Sequence, residues 1–330
     1  MTSQKSLPIA VSCGDPAGIG PEIAAKAWQA LRSTQPYFWI GDRRHLPDSC
    51  QFSEIDDPSE AITAAEHGMP VLQHDFSEPA HPGIPSAANS ADVIDVIRRG
   101  VDLVTEGKAA ALCTAPISKK VLQDHAGFAF PGHTEYLADL AGADRSVMML
   151  VADEFRVIPT TIHIPLSQVP AALTSSLLEK TIRITHQALQ EKFGISMPRI
   201  AVAGLNPHAG EGGMLGAEDQ ELIAPLCVRL LEEGLNIRGP LPADTMFHEA
   251  ARNTYDAAVA MYHDQALIPI KTLAFDRGVN TTLGLPFVRT SPDHGTAFDI
   301  AGKNIANPSS LIEALKLAAR MAHTRARLVK

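Results

Sequence analysis

LPIAVSC (7–13), GDPAGIG (14–20) and PEIAAKAWQALR (21–32) follow one another in the sequence. The first stretch is a short apolar run, which is typical of a strand buried on both faces. The last has apolar residues at helical spacing and a proline in its first turn, where a missing N–H is tolerated. A strand that passes through a short loop into a helix is the repeating unit of a parallel α/β sheet.

The same alternation continues outward from this unit. A chain of 330 residues is too long for one ordinary core, so it suits two domains or one large α/β unit. Residues 41–90 lack clear periodicity and are predicted to form loops and weak elements. The predicted helices are 92–104, 177–193, 217–234 and 309–328, and the predicted strands are 109–116, 156–166, 199–205 and 256–262.

Composition limits the function classes. The chain is 45% hydrophobic and 20% charged, as in a soluble globular enzyme. A net charge of −9 argues against a general nucleic-acid partner, because neutralising a phosphate backbone requires a basic face. No apolar run approaches the ~20 residues that cross a bilayer, so no membrane partner is expected. The four cysteines form no C-x-x-C pair and fit reduced thiols of a cytoplasmic protein.

Polar clusters follow several predicted strands, and ligands of such sheets bind at the carboxyl ends of strands. His163, His208 and His263 each lie at or just beyond a strand. Imidazole is the commonest protein ligand for zinc, so the three could converge on one metal ion or be hydrogen-bonded structural histidines. Asp244 and Asp264 could orient a histidine or accept a proton, or form turns. The glycines around His208 match neither nucleotide-binding fingerprint.

A second set of side chains suits an anion. His133 and Thr134 begin a predicted helix, and a helix N-terminus favours negative charge. Lys271, Asn280 and Arg289 supply a point charge, an amide and a planar fork. This combination suits a phosphomonoester, although an N-cap and solvated surface groups are the alternatives. Lys271 follows LIPI, which is strand-like in composition.

Eight longer stretches carry the most specific signal, because they occur together and in order. They are GDPAGIGPE (14–22), TAPISK (114–119), PGHTEYLA (131–138), TTIHIPL (160–166), GLNPHAGEGG (204–213), GPLPADT (239–245), AMYHDQ (260–265) and GVNTTLGLPFVRTSPDHGTAFDIAGK (278–303). With these stretches the chain resembles, nearly end to end, the 4-hydroxythreonine-4-phosphate dehydrogenase family of vitamin B6 biosynthesis.

The resemblance implies a fold and a set of site residues. The fold would be α/β, with two α/β/α domains and a cleft between them, similar to isocitrate and isopropylmalate dehydrogenases. Residues 1–140 with 245–330 would form the first domain, and 141–244 the second, dimer-forming one. The expected ligands of a divalent metal (zinc, magnesium or cobalt) are His163, His208 and His263. The metal site would be shared between the two subunits of a homodimer. The expected substrate-binding residues are His133, Thr134, Lys271, Asn280 and Arg289.

The resemblance also implies a reaction. NAD or NADP would oxidise 4-phosphooxy-L-threonine (4-hydroxythreonine 4-phosphate) at C3, and decarboxylation would give 3-amino-2-oxopropyl phosphate. Asp244 is a candidate for the proton acceptor. The alternatives are a 4-phospho-D-threonate or 4-phospho-D-erythronate 3-dehydrogenase and, from another class, a phosphate acyltransferase, which uses acyl-CoA and needs no metal.

Overall fold

The computed structural model describes residues 7–153 and 155–328, and it confirms the expected α/β fold. The strands, in chain order, are β1 Ile9–Ser12, β2 Tyr37–Gly41, β3 Phe52–Ile55, β4 Met69–Gln73, β5 Leu112–Thr114, β6 Val147–Ala152, β7 Phe155–Pro159, β8 Ile200–Ala203, β9 Ile237–Leu241, β10 Ala257–Ala260, β11 Val279–Leu283 and β12 Arg289–Pro292. The α-helices are α1 Gly20–Leu31, α2 Ala61–Ala64, α3 Ser90–Thr105, α4 Lys119–Ala126, α5 His133–Leu140, α6 Val169–Ala172, α7 Ser175–Glu191, α8 Ala224–Glu232, α9 Glu249–Arg252, α10 His263–Ala274 and α11 Ser309–Leu328.

The chain forms two compact units whose segments alternate along the sequence. The first unit contains the chain up to Ser146 together with Leu285–His323, and the second contains Val147–Gly284 together with the chain from Thr324 onward. Residues 245–284 thus lie in the second unit, whereas the expected boundary assigned them to the first. The reason is strand pairing, because β10 lies between β7 and β8 of the second unit.

The sheet of the first unit is parallel, in the order β3-β4-β2-β1-β5-β12. Its central strands β1 and β2 are buried along their whole length, which explains their continuous apolar sequence. β3 and β4 fall in the segment that was expected to form loops and weak elements. They form the outer edge of this sheet, where β3 is largely exposed and lacks an apolar pattern.

The second unit contains a mixed sheet in the order β11-β6-β7-β10-β8-β9. β6 runs antiparallel to β7 and β11, while β7, β10, β8 and β9 are parallel. Helix α10 packs on this sheet through Ala266, Ile270 and Ala274, which are spaced one turn apart and belong to the unit's core. The carboxyl ends of the neighbouring strands β7, β10 and β8 meet at one edge, as parallel strands require.

Most of the predicted helices agree with the structure. The helix predicted at 309–328 is α11, and the one predicted at 217–234 begins as a π-helical turn, Asp219–Ile223, before α8. The strand-like character assigned to the residues before Lys271 is wrong, because the one-turn spacing of the buried side chains places them in α10. Among the described residues, no helix is both long and apolar enough to span a bilayer.

Candidate active site

The rings of His163 and His263 lie side by side where β7 and β10 end. Their centroids are 5.6 Å apart and the ring planes make an angle of 44°. Thr161 holds the two segments together, because its Oγ1 donates a hydrogen bond to the Met261 carbonyl at 2.8 Å. Both rings line a pocket of about 310 Å³. The structure therefore brings two of the three predicted metal ligands together.

Asp264 fixes the ring of His263. Its Oδ1 accepts a hydrogen bond from Nδ1 of His263 at 2.6 Å. Because a carboxylate oxygen accepts, Nδ1 is the donor and Nε2 is the ring nitrogen left to face a ligand. Metal-binding histidines usually have such a carboxylate on the other ring nitrogen. The two imidazoles therefore fit a divalent ion such as Zn²⁺ or Co²⁺ better than Mg²⁺, which prefers oxygen donors.

His208 lies on a loop with a left-handed backbone. The φ angles of five consecutive residues, from His208 to Gly212, run from 40° to 80°. Glycine adopts this region freely, whereas other residues are strained there. The loop also folds back tightly on the end of β8, since a Cβ on Gly204 would lie 2.8 Å from the Cα of Ala209. The glycines of this stretch thus shape the turn that carries His208.

Asp219 holds the chain just before this turn. Its side chain is fully buried, and its Oδ1 accepts a hydrogen bond from the Leu205 N–H at 2.8 Å. Its Oδ2 accepts from the backbone N–H of Asn206 at 3.1 Å and from the Asn206 side chain at 3.0 Å. Three donors thus offset the cost of burying the carboxylate and fix the entry to the His208 turn.

His208 stands apart from the histidine pair. Within the residues that the structure describes, no three His, Cys, Asp or Glu side chains form a group that could hold a metal ion. Asp244 lies on an exposed 3-10 turn, Ala243–Thr245, which contacts the His208 loop. A site that unites all three histidines therefore stays a prediction, as does the role of Asp244.

Arg289 is the best-buried cation of the predicted substrate set. It begins β12 and is only 2% exposed. Its Nη2 donates a hydrogen bond to Oγ1 of Thr114, the last residue of β5, at 2.5 Å. Burial lowers the pKa of Arg289 to about 10, so the guanidinium remains charged at neutral pH. A buried fork with a fixed direction suits the oxygens of a phosphate.

His133 begins α5 in the same unit as Arg289. Burial lowers the pKa of His133 well below its usual range, and the positive charges of Arg289 and Lys119 lower it further. The ring is therefore neutral at neutral pH. Its buried Nε2 has no hydrogen-bond partner among the described residues. This nitrogen can donate to an anionic ligand when it carries the ring proton.

The other predicted substrate residues are divided between the units. Thr134 is the second residue of α5, as its predicted place at a helix start requires. Lys271 lies in α10, with its Nζ 5.5 Å from the centroid of the Phe275 ring. Asn280 lies on β11, and its buried Oδ1 accepts no hydrogen bond from the described residues. Lys271 and Asn280 belong to the second unit, whereas His133, Thr134 and Arg289 belong to the first.

Three side chains near these residues are absent from the predicted site. Lys119 begins α4 and acts electrostatically on His133, and the TAPISK stretch ends on it. Gln265 closes the stretch AMYHDQ and is buried. Asp219 lies in no motif, and only its contacts in the fold reveal its role at the His208 turn.

Known proteins similar to this chain identify its family. Residues 32–318 match the family described as pyridoxal phosphate biosynthetic protein PdxA. A 4-hydroxythreonine-4-phosphate dehydrogenase from Roseobacter denitrificans is 64% identical over 321 residues, which cover 97% of this chain and 98% of that protein. The same name belongs to a relative from a Ruegeria species, 60% identical over 96% of this chain and 97% of its own length.

A solved structure supports the same conclusion. The 4-hydroxythreonine-4-phosphate dehydrogenase from Klebsiella pneumoniae superposes with a TM-score of 0.89 at 40% identity, covering 97% of this chain and 99% of that one. Both the family match and the identity of the relatives extend over nearly the whole chain. The family resemblance of the motifs is thus confirmed, and the chain belongs to the PdxA family.

Proposed function

We propose that this protein oxidises 4-phosphooxy-L-threonine at C3 with NAD or NADP and decarboxylates the product to 3-amino-2-oxopropyl phosphate, a step of pyridoxal phosphate biosynthesis. Membership of the PdxA family and relatives named for this dehydrogenase support the proposal. The structural observation that carries it is the His163–His263 pair, in which Asp264 is hydrogen-bonded to His263. This arrangement of ligands suits a divalent metal.

Each predicted residue receives a role in this proposal. The divalent metal, held by His163, His208 and His263, would polarise the C3 oxygen, and NAD or NADP would supply the hydride acceptor. Arg289 would bind the phosphate, together with Lys271, His133 and the side-chain NH₂ of Asn280, which donate hydrogen bonds. Thr134 would bind the substrate at the N-terminus of α5. Asp244 would take the proton of the C3 hydroxyl, because its turn adjoins the His208 loop.

The proposal includes a cytoplasmic homodimer with the active site at the subunit interface. Helix α10, which begins with His263, exposes Ile268 and Leu273, and Phe275 follows it with 74% of its surface exposed. Such an apolar face is typical of an interaction surface. A second copy bound there would lie against the helix that carries one of the metal ligands.

An assay with the purified protein tests the proposal. Formation of reduced nicotinamide from 4-phosphooxy-L-threonine should disappear when a chelator removes the metal and return when Zn²⁺ or Co²⁺ is restored. Separate reactions with NAD and NADP would give the cofactor preference. Turnover of 4-phospho-D-threonate in place of the amino acid would move the protein to the sugar-acid alternative. Acyl transfer to phosphate without metal would contradict the dehydrogenase.

A further inference from the structure

Gln265 connects two of the strand ends that precede the predicted metal ligands. Its Oε1 accepts a hydrogen bond from the Met261 N–H at 2.7 Å, and its Nε2 donates to the Gly204 carbonyl at 2.7 Å. Met261 directly follows β10, and Gly204 directly follows β8. The side chain is 9% exposed, so both hydrogen bonds are shielded from water.

The side-chain amide of Gln265 joins β8 and β10 where the hydrogen bonds between their backbones end. β8 and β10 are paired in register up to Val202 and Val259. Beyond this point the Gly204 N–H donates to Leu241 on the far side of β8. An amide placed between an N–H and a carbonyl separates them by its own width, which a direct ladder hydrogen bond does not. Gln265 therefore sets how far the two strand ends diverge.

Both diverging segments lead directly to predicted ligands. Met261 is separated from His263 by one residue, and Gly204 leads into the left-handed turn of His208. Asp219 fixes the same segment beyond Gly204 through the N–H groups of the next two residues. Gln265 is thus the side chain through which the helix start of His263 and the loop of His208 are held to each other.

We propose that Gln265 is a positioning residue, which fixes the His208 loop and the start of α10 so that each imidazole is preorganised for a divalent metal. The inference rests on the proposed function, because it requires that these histidines bind metal. Both of these hydrogen bonds go to backbone groups, so Gln265 would act through the histidines. Mutation of outer-shell groups that orient metal ligands typically lowers metal affinity about 10- to 100-fold.

Titration with Co²⁺ tests the proposal in the full-length protein. Gln265→Met keeps the length of the side chain and removes both hydrogen bonds, while Gln265→Asn keeps the amide but shortens its reach. We expect both variants to bind Co²⁺ about 10- to 100-fold more weakly in competition with a chelator, and to show an altered visible absorption spectrum of the bound ion. With metal in excess, kcat should fall while KM for the phosphorylated substrate changes little.

Two controls separate the explanations. Tyr37→Phe removes another buried hydrogen bond, from the Tyr37 hydroxyl to the Ala24 carbonyl, in the first unit. If it weakens Co²⁺ binding as much as Gln265→Met, the effect is general destabilisation and the inference is wrong. His208→Ala should lose the ion. Wild-type affinity and spectrum in both Gln265 variants, with loss in His208→Ala, would overturn the positioning role alone. Absence of Co²⁺ binding by the wild-type protein would overturn the metal site and the inference together.

Discussion

His133 and Arg289 are two basic side chains whose pKa values are both lowered by their surroundings. Burial lowers the pKa of both, and the charge of Arg289 lowers that of His133 further. At neutral pH the pair therefore carries one positive charge, on the guanidinium. A phosphate bound beside the ring would favour its protonated form and so raise its pKa.

His133 should make the stability of the protein fall as the solution is acidified. Its folded-state pKa is depressed, so below the usual pKa of about 6.5 the unfolded chain binds a proton that the folded chain does not. Unfolding is then favoured progressively as the pH decreases through that value. Thermal unfolding between about pH 8 and pH 5.5 should show a smaller loss of Tm for His133→Gln than for the wild-type protein.

The comparison must isolate His133, because burial also lowers the pKa of His45, His74 and His186. These three contribute equally to the wild-type protein and the variant, so only the difference between the two curves belongs to His133. His67→Gln, at an exposed position, serves as the control and should follow the wild-type curve. Parallel curves for the wild-type protein and His133→Gln would contradict the depressed pKa.

At the scale of an element, the left-handed turn offers a matched pair of glycines. Gly210 and Gly212 have φ angles of 80° and 67°. A Cβ on Gly210 would meet the Gly216 carbonyl oxygen at 3.0 Å and the Asp219 Cβ at 3.2 Å, whereas a Cβ on Gly212 would meet nothing within 4 Å. The two positions therefore share a left-handed backbone, which would strain an alanine, and differ in the space available for its methyl group.

Gly212→Ala should cost about 1 kcal/mol of unfolding free energy, from the left-handed backbone alone. Gly210→Ala should cost about 1–3 kcal/mol more, because the surrounding atoms must move. Denaturant unfolding of both variants measures the difference, and protection of the 205–216 amides from hydrogen exchange locates it. Equal losses in the two variants would show that the loop adjusts to the extra methyl group.

The strand ends were predictable from the sequence because the pattern is local. An apolar run followed by a polar residue places His208 and His263 beyond β8 and β10 without knowledge of the fold. The strand predicted at 156–166 runs past His163, whereas β7 ends at Pro159. The contacts of Gln265 with Gly204 and of Asp219 with Leu205 were not predictable, since each joins a side chain to a backbone group of a separate segment. The helical state of Lys271 also depends on the sheet beneath α10, which overrides the β-branched composition of LIPI.

At the scale of the whole molecule, a site shared between subunits predicts complementation. His208→Ala and His263→Ala should each be inactive as homodimers. If the two histidines of one site come from different subunits, a mixed dimer has one site with both histidines intact and one site with neither. After subunit exchange, an equal mixture should regain about one quarter of wild-type activity, because half of the dimers are mixed.

This experiment requires a control that shows subunit exchange between the two variants. Tagged copies of the two variants, copurified after mixing, would show mixed dimers directly. Copurification without recovered activity would indicate that one chain supplies both His208 and His263 of a site. A mixture of wild-type protein with His208→Ala provides the reference for the amount of activity that exchange preserves.

Because the segments of the two units alternate along the sequence, the ribosome synthesises the strands of the second unit before the last strand of the first unit. Thr114 at the end of β5 and Arg289 at the start of β12 are 175 positions apart, yet their strands are neighbours in the first unit. β6 to β11 of the second unit are all synthesised in between. In a nascent chain, β5 therefore has no strand on its β12 side while the second unit is synthesised. Such an exposed strand edge can pair with other chains. Translation arrest anywhere before Arg289 would leave that edge uncovered.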